Sequence, residues 1–179
     1  MNGLLRIASL GAALLLSACA SLPGARTEHL AGHRVEYVLA GQGAPVVVFE
    51  NGLAGRLDGW AKVLPAIAED TTAFAYNRPG TGDSAPPATP RDGDHVVEEL
   101  RAMLRDRGLR PPYVLVGLSL GGLYMQLYAR RHPEDVAALV LVDSTHPAQL
   151  QGAGAREHWP LWVRAVVGVT TNAAAKAEL

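Results

Sequence analysis

The sequence is poor in several residue types, and each shortage excludes a class of protein. Its 179 residues include a single cysteine, Cys19, so no disulfide can form within the chain. Lysine and arginine number 16 against 17 aspartates and glutamates, so no excess of positive charge indicates a nucleic-acid partner. The length and the hydrophobic content of 49% are typical of one globular domain. We therefore expect a small, largely uncharged molecule as the binding partner.

The sequence also lacks an apolar run long enough to span a membrane. The apolar residues 7–16 follow Arg6 and would extend only about 15 Å as a helix. Small residues then lead to Cys19. This order of a positive charge, a short apolar run and small residues is typical of a cleaved export signal.

Residues 16–19, Leu-Ser-Ala-Cys, resemble the lipobox of bacterial lipoproteins, in which the cysteine is acylated and becomes the mature N-terminus. The resemblance implies a lipoprotein signal peptide over residues 1–18 and lipidation at Cys19. The protein would then be exported to the bacterial cell envelope and anchored to the membrane by lipid. The alternative is an ordinary secretory signal, which would give a soluble secreted or periplasmic protein. Residues 19–30 are predicted to be a linker.

Apolar runs and amphipathic segments alternate along the rest of the chain. Residues 33–39 alternate as in a half-exposed strand near a sheet edge, and Pro65 interrupts the first helical pattern. Strands are predicted at residues 33–39, 45–49, 72–76, 113–116 and 136–142, and helices at 60–68, 94–107 and 122–131. This order predicts an α/β fold, a mostly parallel sheet with helices on both faces.

The segment Gly117-Leu118-Ser119-Leu120-Gly121 lies between a predicted strand and a predicted helix. A turn this sharp holds the central residue in a strained backbone conformation and exposes its side chain above the sheet. The start of the helix favours an oxyanion, and the amide of Leu120 is placed to donate to it. The pattern predicts Ser119 as a catalytic nucleophile. The alternative is a glycine-rich turn that serves only close packing.

Ligands of such sheets bind beyond the carboxyl ends of the strands, where residues 50–59, residues 77–84 and the Ser119 turn are expected to meet. The first of these loops follows a buried strand and contains Gly52 and Gly55, so its backbone can approach a substrate closely. We expect the amide of Leu53 to be the second oxyanion donor. The alternative is a loop with no donor directed at the substrate.

Taken together and in this order, the motifs resemble the N-terminal part of the α/β-hydrolase fold over residues 33 to about 150. The matching segments are residues 50–53, 76–84, 117–121, 132–135 and 139–143. Two positions depart from the pattern of many relatives, because Asn51 stands where they have histidine and Asn77 where they have aspartate. Neither departure removes a backbone donor.

The resemblance implies a serine hydrolase of the esterase or lipase type, which acts on a small or hydrophobic acyl ester through an acyl-enzyme and needs no metal or cofactor. Serine at the turn argues against haloalkane dehalogenases and epoxide hydrolases, whose members use aspartate there. Amide hydrolysis, as in aminopeptidase-like relatives, stays open. So does a non-catalytic, lipid-anchored protein that keeps the pocket to bind a hydrophobic ligand.

A serine nucleophile needs a general base that is oriented by a carboxylate. Within the chain the candidates are Asp143 as acid and His146 as base, since both lie at the end of the strand beside the nucleophile strand. The alternative for Asp143 is a structural carboxylate that caps nearby amides. His95 and His132 belong to other helix ends and are not expected to be catalytic.

In similar hydrolases the acid and the histidine follow the seventh and eighth strands. This chain is expected to hold a partial core over residues 31–150 and the start of a lid over 151–179, truncated after the sixth core strand. The strand at 136–142, apolar on both faces, would then be an exposed edge. We expect an incomplete hydrolase with little or no activity of its own.

Overall fold

The computed structural model describes residues 22–146. Its strands are β1 Arg26–Leu30, β2 His33–Ala40, β3 Val46–Glu50, β4 Ala73–Tyr76, β5 Tyr113–Leu118 and β6 Val136–Val142. Its α-helices are α1 Leu64–Asp70, α2 Gly93–Asp106 and α3 Leu120–Arg131, and two 3-10 turns cover Leu57–Trp60 and Pro133–Asp135. The predicted signal peptide, the predicted lipidation of Cys19 and the predicted lid at 151–179 lie outside the described residues.

The strands form one sheet in the order β1-β2-β4-β3-β5-β6. The pairs β3/β4, β3/β5 and β5/β6 are parallel, whereas β1/β2 and β2/β4 are antiparallel. The central strand β3 shows why helices cover both faces. Val46 and Val48 belong to the core that contains α2 and α3, and Val47 and Phe49 belong to the core that contains α1. The predicted α/β architecture is confirmed.

Helix α2 forms where its apolar spacing predicts it. Val97, Leu100 and Leu104 are fully buried, so one stripe of the helix faces the core. The carboxylate of Asp92 caps the first turn by accepting a hydrogen bond from the amide of His95 at 3.0 Å. The helix ends before Gly108, whose φ of +77° suits the residue after a C-cap.

Part of the predicted linker at residues 19–30 is a strand, which is a correction to the sequence analysis. Strand β1 pairs with β2, and Leu30 faces His33 across a two-residue turn. That turn is formed by Ala31 with φ 48° and Gly32 with φ 82°, both in the left-handed region that tight hairpins require. The charged, exposed residues of β1 have no apolar alternation, so local patterns do not predict the hairpin.

Strand β2 is more deeply buried than its alternating sequence predicts. Val35, Glu36, Tyr37 and Val38 are all buried. The face expected to be exposed is covered because the loop that follows β4 folds over Glu36, which accepts a hydrogen bond from the amide of Asp83 at 2.7 Å. The polar residue Glu36 therefore faces another part of the protein and not the solvent.

Helix α1 also differs from the prediction, since it begins at Leu64 rather than at Trp60. Pro65 lies in its first turn, where the missing N–H would have no partner in the helix anyway. The proline starts this helix and does not interrupt it. Within residues 22–146 no helix has the length and apolar character of a membrane span.

Strand β6 is the edge of the sheet on the side away from β1. Its apolar residues Leu139, Val140, Leu141 and Val142 are 36% to 45% exposed. The strand was predicted as an exposed edge, and it occupies an edge of the described sheet.

Candidate active site

Ser119 is the single residue between the end of β5 at Leu118 and the start of α3 at Leu120. Its φ of 51° and ψ of −117° lie in a region that costs a residue with a side chain about 1–3 kcal/mol. The chain adopts this conformation because a strand passes into a helix within one residue. The predicted strained strand-to-helix turn is confirmed.

Glycines allow three backbone segments to meet at this turn. A Cβ atom added at Gly117 would lie 2.5 Å from the Cα of Gly122. One added at Gly121 would lie 2.5 Å from the carbonyl oxygens of both Glu50 and Asn51. No real side chain tolerates these distances, so the turn and the loop after β3 approach each other through backbone atoms alone.

The main chain of Ser119 is bound to the end of β6. Its amide donates to the carbonyl of Val142 at 3.0 Å, and its carbonyl accepts from the amides of Gly122 and Thr145, both at 3.0 Å. The side chain of Gln126 adds a hydrogen bond to the Ser144 hydroxyl at 3.0 Å. The half-buried Ser119 hydroxyl has no hydrogen-bond partner among the described residues. Its backbone is therefore fixed while its oxygen stays available.

The loop after β3 lies directly against Ser119. A Cβ atom built on Gly52 would be 3.3 Å from the Ser119 Cβ and 3.9 Å from its Oγ. Within the described part of the chain, the amides of Leu53 and Leu120 donate to no protein acceptor. The structure thus places both predicted oxyanion donors on the segments that flank Ser119, with their hydrogens unused.

A buried polar cluster that the sequence analysis missed supports this loop. Arg78 is 2% exposed and forms a buried ion pair with Glu50, the last residue of β3. The Tyr76 hydroxyl donates to the same carboxylate. Burial, together with the neighbouring Glu50 charge, raises the pKa of Tyr76 well above its usual range, so the hydroxyl keeps its proton. The sequence feature that could have indicated this cluster is Glu50, a charged residue at the end of an apolar strand.

Arg78 also binds the backbone of the loop. Its Nη1 donates to the carbonyl of Asn51 and its Nη2 to the carbonyl of Gly52, each at 2.6 Å. The guanidinium carbon lies 5.6 Å from the centre of the Tyr124 ring. One buried side chain therefore holds two successive peptide groups beside the nucleophile.

The structure shows what the asparagine at position 77 does. The Asn77 Oδ1 accepts from the amide of Leu57 at 2.7 Å, and its Nδ2 donates to the Glu36 carboxylate at 2.6 Å. An amide can do both at once, whereas an aspartate would accept only and would face a second carboxylate. Asn77 and Glu36 are thus a matched buried pair that fixes the loop after β4.

Residues 45–177 match the family whose description is alpha/beta hydrolase fold. The chain belongs to this family. The match covers the nucleophile turn, the loop after β3 and the loop after β4. The resemblance predicted from the order of the motifs is confirmed.

The curated relatives of this hydrolase include a lipase and proteins without an assigned function. The human (lyso)-N-acylphosphatidylethanolamine lipase is 28% identical over 134 residues, which are 69% of this chain and 37% of the lipase. The uncharacterized protein YqjL of Bacillus subtilis is 30% identical over 103 residues, or 58% of this chain and 41% of YqjL. This hydrolase therefore spans about two fifths of the length of these curated relatives, at 41% and 37%.

Among solved structures, a bacterial membrane phospholipase A is similar to this alpha/beta hydrolase with a TM-score of 0.64 and 27% identity. The alignment covers 77% of this chain and 44% of the phospholipase.

The candidate acid and base of this hydrolase lie beside the nucleophile turn. Asp143 follows β6 directly, has a φ of 44° and is exposed. Its carboxylate has no ion-pair or hydrogen-bond partner within residues 22–146. His146 is three residues further along the segment that binds the Ser119 backbone.

The other histidines considered are remote from Ser119 in the fold. His132 follows the far end of α3, and its Nε2 lies 2.8 Å from the Glu98 carboxylate. His95 lies in the first turn of α2, 2.8 Å from the Asp92 carboxylate. Both belong to helix termini away from the nucleophile turn.

Proposed function

We propose that this alpha/beta hydrolase is a serine esterase of the lipase type that cleaves small or hydrophobic acyl esters through an acyl-enzyme. The observation that carries the proposal is the strained conformation of Ser119, with φ 51°, between two segments whose Leu53 and Leu120 amides donate to no acceptor within residues 22–146. Strained backbone conformations of this kind cluster at active sites and ligand-binding positions. The lipase and the phospholipase named above support an ester of a hydrophobic acid as the substrate class.

The reaction proceeds in two steps. The Ser119 oxygen attacks the acyl carbon as a base takes its proton, and the negative charge on the former carbonyl oxygen is bound by the Leu53 and Leu120 amides. The alcohol then leaves with a proton and the acyl group remains on Ser119. Water attacks this ester in the same way, releases the acid and restores the hydroxyl.

Asp143 and His146 are the candidates for the acid and the base within the described residues. Both follow the strand whose end binds the Ser119 main chain. We expect Asp143→Asn and His146→Gln to lower the ester hydrolysis rate if the pair serves Ser119. Unchanged rates in both variants would exclude this pair and require other residues as acid and base.

The test of the proposed activity is hydrolysis of 4-nitrophenyl butyrate by the purified protein. Because the chain is expected to have little activity of its own, we expect slow turnover, and we expect Ser119→Ala to abolish it, since no other described residue offers a nucleophile between two amides without a protein acceptor in residues 22–146. Ser144→Ala is the matched control, since its hydroxyl lies nearby but is engaged with Gln126. Turnover that survives Ser119→Ala would contradict the proposal, and a well-folded protein whose Ser119 does not react with a fluorophosphonate would favour a non-catalytic binding role.

Cys19 is proposed as the site of a lipid anchor, on the basis of the Leu-Ser-Ala-Cys sequence at 16–19. Such an anchor would hold the hydrolase at the membrane of the bacterial envelope, close to lipid esters. Expression in a bacterium supplied with radiolabelled palmitate tests this. We expect label in the wild-type protein and none in Cys19→Ala, and an unlabelled wild type would contradict the anchor.

A further inference from the structure

We infer that Arg78 is a positioning residue that fixes the direction of the Leu53 amide, and hence the geometry of the oxyanion site. The inference rests on the proposed function. Arg78 acts through the backbone of the loop after β3, to which it donates two hydrogen bonds.

Arg78 binds the peptide group that carries the Leu53 amide. Its Nη2 donates to the Gly52 carbonyl at 2.6 Å, and this carbonyl belongs to the same peptide group as the Leu53 N–H. The peptide bond is trans, so the C=O and the N–H point in opposite directions across a rigid plane. A buried donor that holds the carbonyl on one side therefore turns the N–H to the other.

Arg78 controls the neighbouring peptide group as well. Its Nη1 donates to the Asn51 carbonyl at 2.6 Å, on the same peptide group as the Gly52 amide. Two successive planes are then held by one planar side chain, which removes the main freedom of rotation at Gly52. This matters because glycine has no Cβ atom, so its backbone can rotate more freely than that of any other residue.

The guanidinium is itself anchored in the core. Its partner Glu50 is fully buried at the end of β3 and also accepts from the Tyr76 hydroxyl. β3 and β4 are adjacent central strands, so the anchor is as rigid as the sheet. Arginine suits this place better than lysine, because its planar fork offers several donors in fixed directions.

A second donor also reaches the Gly52 carbonyl, since the amide of Gly55 binds it at 3.1 Å. The loop thus keeps some order without Arg78. The loss of Arg78 is expected to misdirect the Leu53 amide and not to delete it.

The test compares Arg78→Met with Arg101→Met in the full chain, with active sites counted by fluorophosphonate titration. Arg101 also pairs with a buried carboxylate, that of Asp135, but at the opposite end of the sheet. For Arg78→Met we expect kcat to fall about 10- to 100-fold, somewhat less than the loss of a whole oxyanion donor, with little change in KM. Binding of phenylboronic acid, which mimics the tetrahedral state, should weaken by the same factor.

Two further variants separate positioning from folding. Glu50→Gln combined with Arg78→Met removes the unpaired buried charge and should restore the fold without restoring kcat. Arg78→Lys keeps the charge and should recover part of kcat. Arg101→Met should leave kcat and boronate affinity unchanged. A folded Arg78→Met protein with kcat and boronate affinity within about twofold of wild type would overturn the inference.

The failure of the proposed function is recognised separately, because it appears in the wild type as an absence of turnover or as turnover that does not depend on Ser119. In that case the Leu53 amide resonance in a ¹H–¹⁵N spectrum still tests the positioning role. We expect it to shift and broaden in the Arg78 variants and to stay in place in Arg101→Met. An unshifted Leu53 resonance in the folded Arg78 variants would overturn the inference.

Discussion

Two buried clusters built from the same kinds of side chain lie at opposite ends of the sheet. Each joins an arginine, a carboxylate and a tyrosine. The clusters are Arg78, Glu50 and Tyr76 at the carboxyl ends of the strands, and Arg101, Asp135 and Tyr128 at the amino end of β6. They differ in what else the arginine binds.

Among the described residues, Arg101 donates only to carboxylates, to Asp135 at 2.8 Å and to Glu134 at 3.2 Å. It therefore fastens α2 to the turn before β6, and its role is structural. Arg78 divides its donors between a carboxylate and two backbone carbonyls of the loop beside Ser119. The same kind of ion pair thus becomes a positioning device when its remaining donors hold the backbone at a site.

The largest expected effect comes from a change in the backbone contact between Gly121 and the loop after β3. In Gly121→Ala the new Cβ would lie 2.5 Å from two carbonyl oxygens of the loop after β3. We expect kcat/KM for 4-nitrophenyl butyrate to fall about 100-fold or more, since displacement of reacting groups by about an ångström has this effect.

The control for that change is Gly108→Ala at the far end of the sheet. Gly108 has a φ of +77° but no atom within 4 Å of an added Cβ. We expect a loss of about 1–2 kcal/mol in unfolding free energy, the cost of a left-handed residue, with kcat/KM unchanged. Equal activity losses in the two variants would show that the backbone contact at Gly121 has no special role.

The second prediction concerns the pair that fixes the loop after β4. Asn77→Asp removes the donor to Glu36 and brings two buried carboxylates together where the present donor and acceptor are 2.6 Å apart. We expect the unfolding free energy at neutral pH to fall by about 3 kcal/mol or more, the cost of an uncompensated buried charge. Adding Glu36→Gln should recover much of the loss, because the amide introduced at position 36 can donate to the carboxylate introduced at position 77. Chemical denaturation measures both, and an Asn77→Asp protein as stable as wild type would contradict the account.

Smaller effects are expected from the tyrosines of the two clusters, Tyr76 and Tyr128. Tyr76→Phe and Tyr128→Phe each remove a hydroxyl that donates to a buried carboxylate. We expect each to cost about 1 kcal/mol of unfolding free energy. Only Tyr76→Phe should lower kcat as well, since its carboxylate anchors Arg78. A lower kcat in Tyr128→Phe would remove the distinction between the clusters.

The smallest expected effect is the pH dependence of the stability that the cluster of Arg101, Asp135 and Tyr128 contributes. Burial alone would raise the pKa of Asp135, but the hydrogen bond and charge of Arg101 outweigh it and the pKa is lowered. A carboxyl whose folded pKa is depressed stabilises the protein above its unfolded pKa of about 3.9, and this contribution is lost as the pH falls through the folded pKa. The difference in stability between wild type and Asp135→Asn should therefore be constant near neutral pH and shrink below about pH 4.

The exposed Asp58→Asn is the control for this measurement, since its nearest cation, Arg56, is 3.9 Å away and both side chains are largely exposed. Its stability difference should stay small at every pH. A wild-type advantage over Asp135→Asn that grew on acidification would contradict the assignment.

Local patterns in the sequence predicted those parts of the fold that bury an apolar stripe or need a tight turn. Helix α2 and the turn at Ser119 follow from apolar spacing and from glycines beside a serine. The hairpin of β1 was missed because its exposed, charged residues carry no apolar alternation. Local sequence patterns therefore miss edge strands that bury little apolar surface.

The sequence predicted the nucleophile and the backbone donors of the candidate site, but not the buried side chains that support them. Ser119, Leu53 and Leu120 were predicted as site residues from glycine patterns, since close backbone approach requires glycine. The cluster of Arg78 and Glu50 joins residues 28 positions apart, and its meaning depends on the parallel pairing of β3 and β4. No local pattern specifies which carbonyl a distant arginine will bind.

The central claim is that Ser119 is a nucleophile held between two amides that have no acceptor in the described part of the chain. The most direct measurement is peptide mass mapping after reaction of the folded protein with a fluorophosphonate. We expect a covalent phosphonyl adduct on Ser119 and on no other serine. An adduct on another residue, or a folded protein that remains unlabelled, would contradict the claim.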